Sequence, residues 1–331
     1  MNETVMSFPL ERKHYPGENI FPDISLEFIT HNNELIPVRH EIITANLSRS
    51  IWNVIVGPGR IWHEADDGEW DRASFPLSLV DSYVGRVHNC VATFTYQTAS
   101  ISNIYVQCSQ ETADLNDKQI GNIRIMIQGE YQPKSYSDSL LLIAERNYIK
   151  SRRIPVNPLF LIDKGRKIAH YFDRPLHTNA PTSLGAIILN DTIYLHPPKT
   201  RHGLYPYPHE MRHGVYSVTK SMAGALALFY FAERYGDEIF DAKITDYVAP
   251  LASHPAWQGV TFEHTLNMVT GTEGSEDAAH LYEILIKAKS AEEAIQNIAT
   301  LGDAPSAPGE RFNYASTNFF VLSYALLTTL C

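Results

Sequence analysis

Cysteine is scarce in this chain: Cys90, Cys108 and Cys331 are its only three in 331 residues. An odd number with no C-x-x-C spacing implies neither a disulfide framework nor a cysteine zinc site, and a reducing compartment is the simplest setting for it. Long apolar runs are missing too. Residues 222–232 and 319–330 are apolar but fall short of the roughly 20 residues that cross a bilayer, so both are expected to be buried helices. The first seven residues, Met1 to Ser7, lack the basic stretch and apolar core of a secretory signal, so no export is expected. Without export, the glycosylation patterns Asn46-Leu47-Ser48 and Asn190-Asp191-Thr192 have no bearing. Positive charge is also in deficit, with 27 Lys and Arg against 37 Asp and Glu for a net charge of -10. That balance disfavours nucleic acid and anionic membrane as partners. A cytoplasmic protein acting on a small molecule is the expectation, with no cofactor and no metal.

What is present is enough apolar residue, 44%, to fill two cores over 331 residues. The first 130 residues alternate with period two, as in Trp52, Val54 and Val56, Ala92, Phe94 and Tyr96, or Ile123, Ile125 and Ile127. Turn residues such as Gly57-Pro58-Gly59 and Asp66-Asp67-Gly68 separate the runs, which predicts an antiparallel sandwich or barrel. A helix is expected near 139–150, followed by a basic, proline-broken connector at 151–158. The expected organisation is α+β, with a β-rich accessory domain at 1–150 and a second domain at 151–331. Within the second, Asn190-Asp191 predicts a hairpin between two short strands.

Chemistry concentrates in Ser217-Val218-Thr219-Lys220 and in Pro308-Gly309-Glu310-Arg311-Phe312-Asn313-Tyr314-Ala315-Ser316. A lysine three residues after a serine on a helix lies one turn away on the same face, within reach of its hydroxyl. Ser217 is the only serine placed three residues before a lysine, and it opens the most apolar helix in the chain, 218–235. Such a serine also suits an ordinary N-cap. Burial of Lys220 beside a helix N-terminus favours the neutral amine, which can take the Ser217 proton, while the same helix end stabilises a developing oxyanion. Tyr314 beside that lysine would be a second proton carrier.

These segments, with Tyr216 and Ser221 around the tetrad and Phe262-Glu263-His264-Thr265-Leu266-Asn267-Met268-Val269-Thr270-Gly271 between them, resemble the serine β-lactamase and penicillin-binding protein superfamily. The class C-related hydrolases and esterases, with a Tyr-x-Asn or Tyr-x-Ser second motif, are the most similar branch. The resemblance covers about residues 175–331 and implies Ser217 as nucleophile, Lys220 and Tyr314 as proton-transfer partners and Ser316 as a substrate contact. It implies a helical cluster on an antiparallel sheet and an acyl-enzyme formed from a small carboxylic ester, or a β-lactam or amide. Ser316 stands where the lactamases have asparagine, and its shorter side chain leans toward esters. The family's third motif has no counterpart, because no glycine, lysine or histidine follows Tyr314. The sheet is therefore expected to lack its C-terminal strands, as in a truncated domain. A homo-oligomer or a second polypeptide is one source of the missing part.

Two other readings compete. A catalytically impaired scaffold that binds a partner fits the missing motif. A zinc hydrolase fits His209-Glu210-Met211-Arg212-His213, which matches H-E-x-x-H, although prolines precede it and no helical periodicity surrounds it. Thr270-Gly271-Thr272-Glu273-Gly274 is expected to be a turn, since it lacks the lysine of a phosphate loop, and Ser290 is expected to cap a helix that starts at Ala291.

Overall fold

The computed structural model describes residues 21–44, 46, 49–82, 86–112, 123–173, 184–200, 202–302 and 304–329. Met1 to Ser7, Leu47, Ser48 and Cys331 lie outside them. The chain is α+β and divides into two compact units, Met1–Gly214 and Val215–Cys331. Among the described residues no helix is long and apolar enough to cross a membrane.

The first unit is built on one antiparallel sheet of nine strands: β1 (Phe28–His31), β2 (Glu34–Pro37), β3 (Trp52–Val56), β4 (Gly59–Trp62), β5 (Asp71–Asp81), β6 (Val87–Gln97), β7 (Ser100–Ile101), β8 (Ile104–Thr112) and β9 (Ile123–Ile127). Its main path runs β1-β2-β4-β5-β6-β8-β9. The expected antiparallel β-rich half is therefore present, as a single sheet among the described residues rather than two facing ones. Both β3 and β4 pair with β5, the first along Leu77–Asp81 and the second along Arg72–Ser74. Gly57-Pro58-Gly59 makes that switch possible, because a side chain at Gly59 would meet the Ser74 carbonyl oxygen. Of the alternating residues read from the sequence, Trp52, Val54, Val56, Ala92 and Ile125 are buried on the core face, and Phe94, Tyr96 and Ile127 pack against it partly buried. Between β1 and β2, Asn32 and Asn33 both have positive φ, the geometry of a tight hairpin turn.

One sequence expectation is overturned here. Cys90 on β6 and Cys108 on β8 stand directly opposite each other, fully buried, and are joined by a disulfide. Counting cysteines could not reveal this, because only the β6–β8 register brings residues 18 apart into one cross-strand pair. Cysteine scarcity thus gives no ground for a reducing compartment.

After the sheet come α1 (Ser139–Arg152), close to the expected 139–150, and then β10 (Val156–Pro158), α2 (Lys167–Phe172), β11 (Gly185–Leu189) and β12 (Thr192–His196). Asn190 and Asp191, both at positive φ, close the β11–β12 hairpin as predicted, and β10 lies parallel to β12. At its end Asp173 accepts a hydrogen bond from the Lys199 ammonium, and His196 Nε2 lies 3.0 Å from the same carboxylate oxygen.

The second unit is helical: α3 (Leu226–Tyr235), α4 (Ile244–Tyr247), α5 (Phe262–Leu266), α6 (Ala278–Leu281), α7 (Ala291–Ile298) and α8 (Ser316–Thr329). Ser290 caps α7 by accepting the Glu293 N–H, as expected. Leu228, Ile244, Leu251, Phe262, Ile295 and Val321 meet in its core, each worth about 1.5–3 kcal/mol when fully buried. The apolar segment 218–235 is not buried all round as expected. Only Leu228, Phe231 and Ala232 are inside, while Val218, Met222, Leu226, Phe229 and Tyr230 are exposed. Composition marked the helix but could not say how many of its faces are covered.

Two predictions follow from the first unit. Replacing Cys90 and Cys108 together by alanine is expected to cost about 3 kcal/mol, the loop-entropy value for a closure of this length, read from denaturant melts. Alkylation of the unreduced, unfolded protein should then modify Cys331 alone. Lys199 first, then His196, hold the Asp173 carboxyl at about 2, below its ordinary 3.8. Its contribution to stability is full above pH 3.8 and is lost as pH falls through about 2. Melts between those values should be flatter for Asp173→Asn than for the unaltered protein.

Candidate active site

The chain enters the site through a strained turn. Tyr216 has φ of 42°, a conformation rare for a bulky residue. Hydrogen bonds from Val218 N–H to Val215 and from Thr219 N–H to Tyr216 close the turn around Ser217. Helix begins at Val218, and Lys220–Ala225 follow as a π-helical stretch before α3. A π segment widens the helix and is frequent at functional positions.

Lys220 Nζ is the centre of the arrangement. It lies 2.9 Å from Ser217 Oγ and 3.1 Å from Tyr314 Oη, donating to both as placed. It stands 5.0 Å from the centre of the Tyr314 ring. Ser217 Oγ thus meets the lysine as predicted and not, among the described residues, the backbone N–H of an N-cap. Lys220 is half-buried rather than enclosed, and Ser217 and Tyr314 are exposed, so all three reach solvent.

Tyr314 is 94 residues from Lys220, and its loop is held in place by the segment after α5. Gly309 N–H bonds to the Val269 carbonyl at 2.7 Å and Asn313 N–H to the Met268 carbonyl at 2.9 Å. The Asn313 amide reaches the carbonyls of Thr272 and Gly274, and the buried Asn318 donates to Thr270 Oγ1, which in turn meets Thr272 Oγ1. Thr270 to Gly274, read from the sequence as a turn, is an irregular segment that follows a turn at Asn267–Met268, and it clamps the tyrosine loop. Gly271 is needed in it, with φ of 78° and the Ser306 carbonyl oxygen in the space a Cβ would take. The threonines and asparagines of this clamp carried a signal only as part of the resemblance, since their partners are distant in sequence.

A family model described as Beta-lactamase matches residues 187–327. Residues 187–327 are a beta-lactamase family domain. No curated protein and no solved structure matches the chain. The beta-lactamase family region takes in most of the β11–β12 hairpin and nearly all of the helical unit, including Ser217, Lys220, Tyr314 and Ser316. The last of these begins α8, where its N–H and hydroxyl both donate to the Glu276 carboxylate.

The alternative metal site does not assemble. Pro208–Glu210 is a single 3₁₀ turn and Met211–Val215 are not helical, so His209 and His213 do not share a helix face. Glu210 is buried and faces cations instead, accepting from Arg153 at 2.8 Å with Arg212 at 3.7 Å and Arg146 at 4.0 Å. A carboxylate so neutralised is not free to activate a metal-bound water. Among the described residues no group of three or more His, Cys, Asp or Glu is placed to hold a metal.

Gly271→Ala is expected to destabilise the protein by about 1–3 kcal/mol, the range for enforced backbone strain, measured by urea unfolding. An unchanged midpoint would mean that the segment relaxes without it.

Proposed function

We propose that this protein is a serine hydrolase that forms an acyl-enzyme on Ser217 from a small carboxylic ester. The observation that carries the reading is one amine within hydrogen-bond reach of both a serine and a tyrosine hydroxyl, in a domain of a family of hydrolases. Ser217 Oγ attacks the ester carbonyl carbon, and its proton passes to the neutral form of Lys220 Nζ. Tyr314, sharing the proton with Lys220, delivers it to the leaving alkoxide as the carbonyl–oxygen bond breaks. Water then attacks the acyl carbon by the same route in reverse and frees Ser217.

The oxyanion needs donors preorganised toward it. The Ser217 N–H, at the mouth of the helix, has no acceptor among the described residues and suits that role. Ser316 enters as a substrate contact through its oxygen. Its hydrogen is directed to Glu276, so the remaining lone pairs face a substrate O–H or N–H.

A fluorophosphonate probe is expected to label Ser217, with labelling abolished in Ser217→Ala and Lys220→Ala. Tyr314→Phe should slow it by about two to four orders of magnitude, the usual weight of a positioned proton carrier. Mass mapping of the adduct checks all three, and labelling that survives Ser217→Ala would refute the nucleophile. No labelling of the unaltered protein would instead support the scaffold reading.

A further inference from the structure

The helix that carries Lys220 touches the helix that follows Tyr314 at a second point, one turn along. Gly224, four residues after Lys220, packs on Phe319, five residues after Tyr314. A Cβ on Gly224 would lie 2.6 Å from Phe319 Cε1 and 2.9 Å from Cδ1, closer than two carbon atoms can come. No residue other than glycine therefore fits at 224 unless the ring or a helix moves. Gly224 has no turn to make: it sits within the π-helical stretch Lys220–Ala225, where glycine costs helix stability relative to alanine. Its presence is explained by the approach of the ring.

We propose that Gly224 and Phe319 are positioning residues that set the distance between Lys220 Nζ and Tyr314 Oη. This rests on the roles given above to Ser217, Lys220 and Tyr314. Neither residue touches the reacting atoms. Lys220 and Gly224 lie one turn apart on one helix, and their partners Tyr314 and Phe319 lie at and just inside the start of α8. The two contacts therefore act as two rungs between the same pair of segments. Both segments are anchored in one core. Thr317, Asn318, Val321 and Leu322 of α8 are buried, and Leu228 anchors the first turn of α3 in the same core. Widening the lower rung by a methyl group tilts the segments apart and stretches the upper one, where about 3 Å is the working distance for proton transfer. A misplacement of about 1 Å at such a site costs about 100-fold in rate.

The test is Gly224→Ala, followed by Gly224→Ala combined with Phe319→Leu, which returns the space, and by Gly224→Ala in the Tyr314→Phe background. Acylation of Ser217 by a p-nitrophenyl carboxylic ester, with release of p-nitrophenol, is timed across pH, and a crystal structure of Gly224→Ala reports the Lys220–Tyr314 distance. Gly224→Ala is expected to slow acylation about 100-fold and to move its pH profile. Phe319→Leu should restore most of the rate, and Gly224→Ala should add little once Tyr314 is already phenylalanine. The proposal is overturned if Gly224→Ala acylates at the unaltered rate, if its effect multiplies fully with that of Tyr314→Phe, or if the crystal distance stays near 3.1 Å. If the unaltered protein is not labelled at Ser217, the catalytic reading fails by itself, and the crystal distance alone decides whether the glycine sets the spacing.

Discussion

Everything the candidate site can do depends on one side chain spanning two oxygens: Lys220 Nζ at hydrogen-bond distance from Ser217 and from Tyr314. The first distance is local, set by one turn of helix. The second is not local at all, since 94 residues separate the partners. Most of the helical unit can be understood as the means of making that second distance reproducible. Its core ties α8 to α4, α5 and α7, and the Met268–Gly274 segment grips the loop just before α8 through backbone carbonyls. The backbone bonds from Gly309 and Asn313 hold the loop regardless of side-chain chemistry, and the Asn313 side-chain amide adds its own reach to the Thr272 and Gly274 carbonyls.

The same division explains what could be read from the sequence. Ser217, Lys220 and Tyr314 were legible as a group by residue type and spacing, and the structure brings them within hydrogen-bond distance. Strands of the first unit were legible because one face is buried, so Trp52, Val54 and Val56 alternate with half-exposed neighbours. The Asn190-Asp191 hairpin was legible because positive φ at two adjacent positions restricts residue choice. Other features depend on register or on a partner far along the chain. The Cys90–Cys108 disulfide is a consequence of β6–β8 pairing, and the exposed face of 218–235 is a consequence of where α8 and its neighbours lie. Neither leaves a local trace, and both expectations failed for that reason.

The H-E-x-x-H match illustrates the same limit from the other side. Its residue types are those of a metal site, but the signature works only if a helix places both histidines on one face. Two prolines before it produce a 3₁₀ turn instead. Burying Glu210 among Arg146, Arg153 and Arg212 then gives the carboxylate a structural use, because a buried charge is tolerable only when it is paired.

Glycine at 224 connects these lines. On helix propensity alone it is a poor choice, and no turn or positive φ requires it. Only the Phe319 ring in the space of its missing side chain accounts for it. A residue that weakens its own helix while admitting a close contact has exchanged local stability for geometry between segments. That exchange is worth making where a distance matters more than about 1 kcal/mol of helix. Four residues away, Lys220 bridges the serine and the tyrosine, and in the proposed mechanism that distance decides whether a proton can move.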